Sequence, residues 1–362
     1  VAPFESAAAP KGLGPELGGR LRLGVVDDPT FDEHRADEYH PERPERSAAA
    51  RAGVARAQVE VSPVAARPAT REELSRVHSP RYVEALEQLA GHQGLLDSDT
   101  YLAPGSVRAA EHAAGGATAL VDALLDGQVD RGVALLRPPG HHARPEAAMG
   151  FCLLNNVAVA AAHAIGRGLD RVAIVDWDVH HGNGTQEMFF TDPRVLYVSL
   201  HQWPFYPGTG AADEVGAGAG RGYTVNIPLS EGARTADYVA AFDRIVLPIL
   251  ESYAPELVLV SAGFDAHRDD PLAGMQLDAS AYAWMTAALT RAAEKSAEGK
   301  IGLFLEGGYD LTALELCLMN SVQALTGART EGFSGPPTER DVEIRRAEKE
   351  LAPYWPVGAS AG

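Results

Sequence analysis

Four strand-like apolar runs in this chain each break off into a burst of Asp, His, Glu or Gly. The clearest is Arg171-Val172-Ala173-Ile174-Val175, which leads straight into Asp176-Trp177-Asp178-Val179-His180-His181-Gly182-Asn183-Gly184. The other three bursts are Pro138 to His142, Ser261 to Asp270 and Glu306 to Asp310. Burying unpaired charge at the end of a core strand is costly, and a metal ion is the usual partner that offsets it. Asp178 and His180 stand two residues apart, so on an extended chain they project to the same side and can share one ion.

The apolar runs lie at 21–26, 132–137, 171–176, 195–200, 256–261 and 300–305. Segments with helical spacing or high Ala content separate them, at 47–57, 80–90, 104–126, 153–166, 234–253, 278–297 and 310–326. This alternation predicts an α/β fold with a mostly parallel central sheet flanked by helices on both faces. The runs are continuous rather than alternating, as expected when both sheet faces are covered. In open sheets of this class, ligands bind beyond the carboxyl ends of the strands, so all four polar bursts are expected on one rim.

With 362 residues and neither an internal repeat nor a composition break, the expectation is a single domain over 20–352. A flexible segment over 1–19 and a tail over 353–362 flank it. Gly216 to Gly222 and Glu331 to Pro337 read as loops, and 339–351 as a charged helix. A hydrophobic fraction of 46% suits a substantial core. No apolar stretch reaches the ~18 residues of a membrane span. Residues 1–20 lack the basic start and apolar run of a signal peptide. Only two cysteines occur, Cys152 and Cys317, which excludes a disulfide framework or a Cys-rich zinc knuckle and suits the cytoplasm. A net charge of −18 argues against a nucleic-acid partner.

Asp265 ends the run Leu257 to Val260 with a short turn and is the best third ligand for an ion on Asp178 and His180. Two carboxylates and one imidazole leave a position open for water or substrate, as in catalytic zinc sites. An N/O donor set does not separate zinc from iron. Arg137-Pro138-Pro139-Gly140-His141-His142 places two imidazoles on a Pro/Gly-fixed loop, which suits acid–base work. Each imidazole needs a partner that fixes its tautomer; Asp176 is the candidate for His141 and Asn183 for His142. In Glu306-Gly307-Gly308-Tyr309-Asp310 the glycines let the backbone come close to a site, and the Tyr309 hydroxyl can donate to a developing oxyanion.

These residues resemble the histone deacetylase and acetylpolyamine amidohydrolase superfamily, closest to its class II branch. The resemblance rests on Tyr39 to Arg46, Arg137 to His142, Gly150 to Cys152, Val175 to Gly184, Val198 to His201, Tyr206 to Gly210, Ser261 to Pro271 and Glu306 to Tyr309, in order along 20–327. It implies an arginase–deacetylase fold with one zinc per chain on Asp178, His180 and Asp265. By the same resemblance His142 is the principal base and acid, His141 its electrostatic neighbour, and Tyr309 the group that polarises the amide carbonyl. A potassium or sodium ion is implied on Asp176, Asp178, His180, Ser199 and Leu200, and a second on Phe189, Asp192, Val195 and Tyr223. Phe151 and Tyr206, with Gly150, Leu272 and Gly307, are implied to line an acyl-lysine tunnel. Asp99 would stand at its rim, and Arg46 would line an inner route for acetate. The implied substrate is an acetylated lysine peptide or a small acetylated amine, and the number of subunits stays open, a homo-oligomer included.

Three positions depart from the family pattern. Asn183 replaces the Asp of class I members, so His142 lacks an anionic partner there. Tyr206 stands where many relatives carry Phe. Leu272 occupies the position where polyamine-selective relatives carry a Glu gatekeeper, which weakens an acetylpolyamine reading. Two further alternatives are a binuclear manganese ureohydrolase, whose Asp-Ala-His-x-Asp motif is mimicked by Asp265 to Asp269, and a catalytically silent acyl-lysine binder. The first lacks a second carboxylate-rich cluster, and the second is at odds with a full set of ligands, tandem His and Tyr309.

Overall fold

A computed structural model describes residues 21–36, 39–327 and 338–358. The expected N-terminal segment, the loop 331–337 and the last residues of the tail lie outside the described residues. Ten strands occur in chain order: β1 (Leu23–Val26), β2 (Val61–Val64), β3 (Gly94–Leu95), β4 (Tyr101–Leu102), β5 (Arg131–Ala134), β6 (Val172–Asp176), β7 (Val195–Gln202), β8 (Thr224–Leu229), β9 (Leu257–Ala262) and β10 (Ile301–Leu305). Eight of them form one sheet in the order β2-β1-β5-β10-β9-β6-β7-β8, and every pairing is parallel. β3 and β4 form a separate antiparallel hairpin.

Strand alternation divides the core between two faces. Ala173, Val175, Val258 and Val260 join one cluster with the helices Glu45–Arg56, Ala279–Ser296, Leu311–Leu325 and Asp341–Leu351. Val172, Ile174, Leu257 and Leu259 point the other way, against the helices Ser106–Leu125 and Asn156–Gly166. Covered faces are the condition under which a strand reads as an unbroken apolar run.

Several boundaries differ from the sequence reading. The run 132–137 leaves the sheet after Ala134, because Arg137 turns inward to ion-pair with buried Glu42. The expected helix 234–253 is split into Thr235–Ala241 and Leu247–Tyr253 by a π-helical stretch, Phe242–Val246. Pro248 in the first turn of the later segment has no N–H to give, and a wider turn just before it fits that gap. β2 and β8 were not expected. Each borders the sheet and carries a proline, Pro63 or Pro228, at a position an edge strand tolerates. The β8 edge is packed by the helix Asp341–Leu351, the charged helix read from sequence.

Candidate active site

The four polar bursts follow β5, β6, β9 and β10, and these strands are consecutive in the sheet: β5-β10-β9-β6. Neighbouring strands lie ~4.8 Å apart, so their carboxyl ends deliver all four bursts within roughly 15 Å. Residues separated by more than a hundred positions in sequence are gathered by register alone.

At the centre, Asp178, His180 and Asp265 bring one donor atom each to within 4.8 Å of one another, the one such cluster found among the described residues. The local reason differs from the strand alternation expected. β6 ends at Asp176, and the chain bends so that both the His180 amide and His180 Nδ1 point at Asp178 Oδ1, at 2.9 and 3.1 Å. Neither aspartate is a helix cap. Asp178 Oδ2 accepts from the Gly307 amide at 2.8 Å, and Asp265 Oδ1 from the Val179 amide at 2.8 Å. These bonds aim the remaining oxygens inward. Asp265 Oδ2 is buried and makes no hydrogen bond, although His180 Nδ1 lies 3.2 Å away.

The electrostatics fit a cation. Burial disfavours charge on His180, yet the hydrogen bond to Asp178 and the carboxylate of Asp265 beside it outweigh that and lift its pKa to about 10. Burial, with Asp178 alongside, pushes Asp265 up to about 7. A divalent ion on these atoms would displace the proton that the two carboxylates otherwise hold on the imidazole. The backbone leaves room for it. A Cβ on Gly307 would stand 2.1 Å from Asp265 Oδ2 and 2.6 Å from Asp178 Oδ2, and one on Gly263 would stand 2.2 Å from Asp178 Oδ2. An orphaned carboxylate oxygen, two carboxylates with one imidazole, and glycine cradles together match the donor set of a catalytic zinc site.

His141 and His142 stand beside the trio with ring centroids 4.0 Å apart. His141 Nδ1 lies 3.0 Å from Asp176 Oδ2, and its Nε2 lies 3.8 Å from Asp178 Oδ1. Burial opposes a charge on His141, but Asp178 and Asp176 overcome it and raise its pKa to about 10. His142 Nδ1 lies 2.8 Å from Asn183 Oδ1. Burial, reinforced by the His141 and His180 cations, pushes His142 well below the usual imidazole range. The pair is thus split into a charged and a neutral imidazole. Asn183 Oδ1 can only accept, so the His142 proton sits on Nδ1 and Nε2 is left as an acceptor. Gly150 lies against this ring with φ 56°, and a Cβ there would meet His142 at 2.5 Å.

Aromatic rings pack around these imidazoles and Tyr309. Tyr206 is edge-on to His142 at 5.2 Å and to His180 at 6.1 Å, while Phe151 is edge-on to Tyr309 at 5.8 Å. Phe205, which the sequence did not single out, stacks on His180 at 5.4 Å. Tyr309 is buried, and burial raises its hydroxyl well above the ordinary phenol value, so it stays a donor. Its amide donates to Asp270 at 2.6 Å, and Asp270 also accepts from the Leu272 amide at 3.0 Å. Asp270 therefore ties Leu272 to the Tyr309 turn. Asp99 is half-buried on the turn leading into β4; burial and neighbouring Asp97 raise its pKa.

Arg46 is fully buried. Its Nε donates to Gly308 O at 2.7 Å, its Nη1 to Glu42 at 3.2 Å and its Nη2 to Glu306 O, with the guanidinium 4.9 Å from the Tyr309 ring. Of the residues expected around monovalent ions, Asp176, Ser199 and Leu200 are buried on adjacent strands, with Ser199 Oγ 2.9 Å from His201 Nδ1. Phe189, Asp192, Val195 and Tyr223 lie where the helix Asn183–Phe189 meets β7 and β8. There the Asp192 carboxylate pairs with Arg194 at 2.6 Å, and the Tyr223 carbonyl accepts from the Tyr197 amide at 2.9 Å.

Sequence reasoning also passed over Glu42 and Glu306. Glu42 joins Arg137, Arg46 and Tyr101 in one buried network. Glu306 accepts from the Gly140 amide. Glu306 carried one visible signal, a carboxylate between an apolar strand and two glycines, whereas Glu42 lies among charged neighbours and carried none.

Comparison with known proteins agrees with this geometry. Residues 40–325 match the family model described as "Histone deacetylase domain". Histone deacetylase 15 of Arabidopsis thaliana is 45% identical over 334 residues, which span 88% of this chain and 59% of that protein. A probable deacetylase of Archaeoglobus fulgidus is 39% identical over 309 residues, spanning 84% of this chain and 86% of its own length. A crystal structure described as the HDA15 HD domain superposes with a TM-score of 0.86 at 41% identity, covering 93% of this chain and 96% of that one. With the domain match running through the metal trio, the tandem histidines and Tyr309, the chain belongs to the histone deacetylase family.

Proposed function

We propose that this chain is a zinc-dependent amidohydrolase that removes the acetyl group from an acetylated amine and releases acetate. The observation that carries the reading is the geometry of the histidine pair: His141 on Asp176 at 3.0 Å and His142 on Asn183 at 2.8 Å stand beside a two-carboxylate, one-imidazole cluster, with buried Tyr309 edge-on to Phe151 nearby. Asp178, His180 and Asp265 would hold the zinc, which would supply Lewis acidity toward a carbonyl and make water more acidic there.

The chain's own groups do the rest. Phe151 and Tyr206 bind the aliphatic stem of the substrate and exclude bulk water. Tyr309 Oη donates to the carbonyl oxygen as negative charge grows on it. His142 Nε2 takes the proton from the attacking water and then gives it to the departing nitrogen, so the amine leaves neutral. His141, held cationic by Asp176 and Asp178, keeps His142 from being protonated before the attack. We assign Asn183 the role of fixing the His142 tautomer without adding charge, and Asp99 that of accepting from a substrate backbone N–H at the rim. Arg46 braces the Tyr309 turn, and its part in an acetate route is a further element of the proposal. The monovalent cations on the Asp176, Ser199 and Leu200 group and on the Phe189, Asp192, Val195 and Tyr223 group belong to the same reading.

The substrate class we favour is acetyl-lysine or a small acetylated amine, because Leu272 offers no carboxylate for a polyamine's second ammonium. No helix among the described residues is long and apolar enough to cross a membrane. Both cysteines are buried and unpaired, and we place the chain in the cytoplasm on that basis. The deciding experiment is competition between acetyl-lysine peptides and acetylpolyamines, with metal analysis of the same sample. Turnover of the peptide at one zinc per chain is the expected result. Two manganese ions per chain, or binding without acetate release, would refute the reading.

A further inference from the structure

We propose that Glu306 is a positioning residue that clamps the tandem-histidine loop and couples it to the Tyr309 turn; this rests on the deacetylase reading above for its kinetic consequences. Glu306 is the first residue after β10 and is fully buried. Its Oε2 accepts the Gly140 amide at 2.7 Å and the His141 amide at 3.1 Å. Its Oε1 accepts the Ser261 hydroxyl at 3.1 Å, at the end of β9. Its own amide donates to Ala262 O at 3.2 Å, and its carbonyl accepts from Arg46. One side chain therefore joins the loop after β5 to the end of β9 and the start of the loop after β10, with the proton acceptor His142 two residues beyond Gly140 and the phenol of Tyr309 three residues beyond Glu306.

The loop has no regular secondary structure to fix it. On its carbonyl side, Asn155 Nδ2 reaches His141 O and Ala143 O at 3.4 and 3.3 Å, and Asn156 Nδ2 reaches Pro138 O at 3.0 Å. Glu306 is the opposing jaw, taking two successive amides on a single oxygen. Removing that oxygen leaves two buried N–H groups without acceptors, and the loop must shift to find others. The His142 ring would move with it, while the metal trio and Tyr206 stand on other loops, and Phe151, further along the same connection, is held separately by its amide on Thr100 Oγ1 at 3.0 Å.

Reach and charge can be told apart. In Glu306→Gln the amide oxygen still accepts both N–H groups and the NH₂ donates to Ser261 Oγ. Glu306→Asp keeps the charge but falls short by one methylene, ~1.5 Å. Glu306→Ala removes both. Turnover of an acetyl-lysine peptide, zinc content and amide hydrogen exchange of residues 138–143 should be measured on all three variants and the wild type. For Gln we expect kcat within about threefold of wild type, whereas Asp and Ala lose about 10²-fold with KM within about twofold. Zinc stays at one per chain, and exchange over 138–143 rises in Asp and Ala only. Wild-type kcat and exchange in the Asp variant, or a Gln variant as impaired as Ala, would overturn the proposal. So would a loss confined to KM or to metal content. If the Ala variant does not fold, the Gln and Asp pair decides. If the wild type turns over no acetylated amine, the deacetylase reading fails, and the exchange measurement still decides the clamp.

Discussion

Gly307→Ala tests the metal trio more sharply than removing a ligand, because it changes no donor atom. Gly307 is not in the left-handed region, so alanine can adopt its backbone conformation. The added methyl, however, would lie 2.1 Å from Asp265 Oδ2 and 2.6 Å from Asp178 Oδ2. Restoring ordinary contact near 3.5 Å moves the Asp265 oxygen by roughly 1.4 Å. That oxygen is the one that no other group holds. Displacing groups around a metal site costs roughly 10–100-fold in affinity, and a shift of about 1 Å at a reacting centre costs about 10² in rate. Overpacking also destabilises the fold by about 1–3 kcal/mol. The assay is zinc affinity by chelator competition, followed by kcat at saturating zinc. Gly94→Ala serves as the control, since a Cβ there meets nothing within 4 Å. Wild-type affinity and wild-type kcat in Gly307→Ala would refute the placement of the two carboxylates.

Tyr309→Phe removes one donor to the oxyanion and should cost about 10²–10³ in kcat with zinc retained, read by steady-state kinetics. Stability should depend on pH through His78, whose Nδ1 lies 3.0 Å from Arg144 O and whose Nε2 accepts the Asn155 amide at 3.0 Å. Burial lowers its pKa to about 4, against about 6.5 in an unfolded chain. A base whose folded pKa is depressed contributes stability above pH ~6.5 and loses it as pH falls toward ~4. The loss between pH 7 and 5 is about 2 kcal/mol from this group. Denaturant unfolding at the two pH values should show a shallower difference in His78→Gln, and an unchanged difference would dismiss His78 as a source. Leu272→Glu places a carboxylate beside the Tyr309 turn and, on the proposed substrate reading, should shift competition toward acetylpolyamines; an unaltered preference ratio would mean that this position does not select substrate.

The parts of the fold that were readable in sequence are those where one local rule acts alone. β6, β9 and β10 are covered on both faces, so their residues had to be apolar without interruption. β8 escaped notice because Asn226 and Pro228 break its pattern. Asn226 is nevertheless buried, with its Nδ2 bonded to Gln186 at 2.8 Å and to Glu214 O at 3.0 Å, and no sequence-local signal marks those partners. The clustering of Asp178, His180 and Asp265 and the partners of the two histidines were legible because such residue types are costly in a core unless they bind something. Glu42 and Glu306 were not, since each is satisfied by donors from distant segments, such as Arg137 and Gly140. Phe205 and Tyr206 are neighbours in one aromatic, proline-flanked loop, and only the folded chain shows that both rings face His180.

The order β5-β10-β9-β6 has a bearing on biosynthesis. Strands β5 and β6 leave the ribosome well before β9 and β10, yet they are not neighbours in the finished sheet. The two latest strands must insert between them, like a keystone set into an open arch. Asp178 and His180 therefore wait for Asp265, and the His141 amide waits for Glu306. A nascent chain that stops short of residue 306 has no completed pocket with which to capture a metal or attack an amide, so catalytic competence arrives only when the middle of the sheet closes.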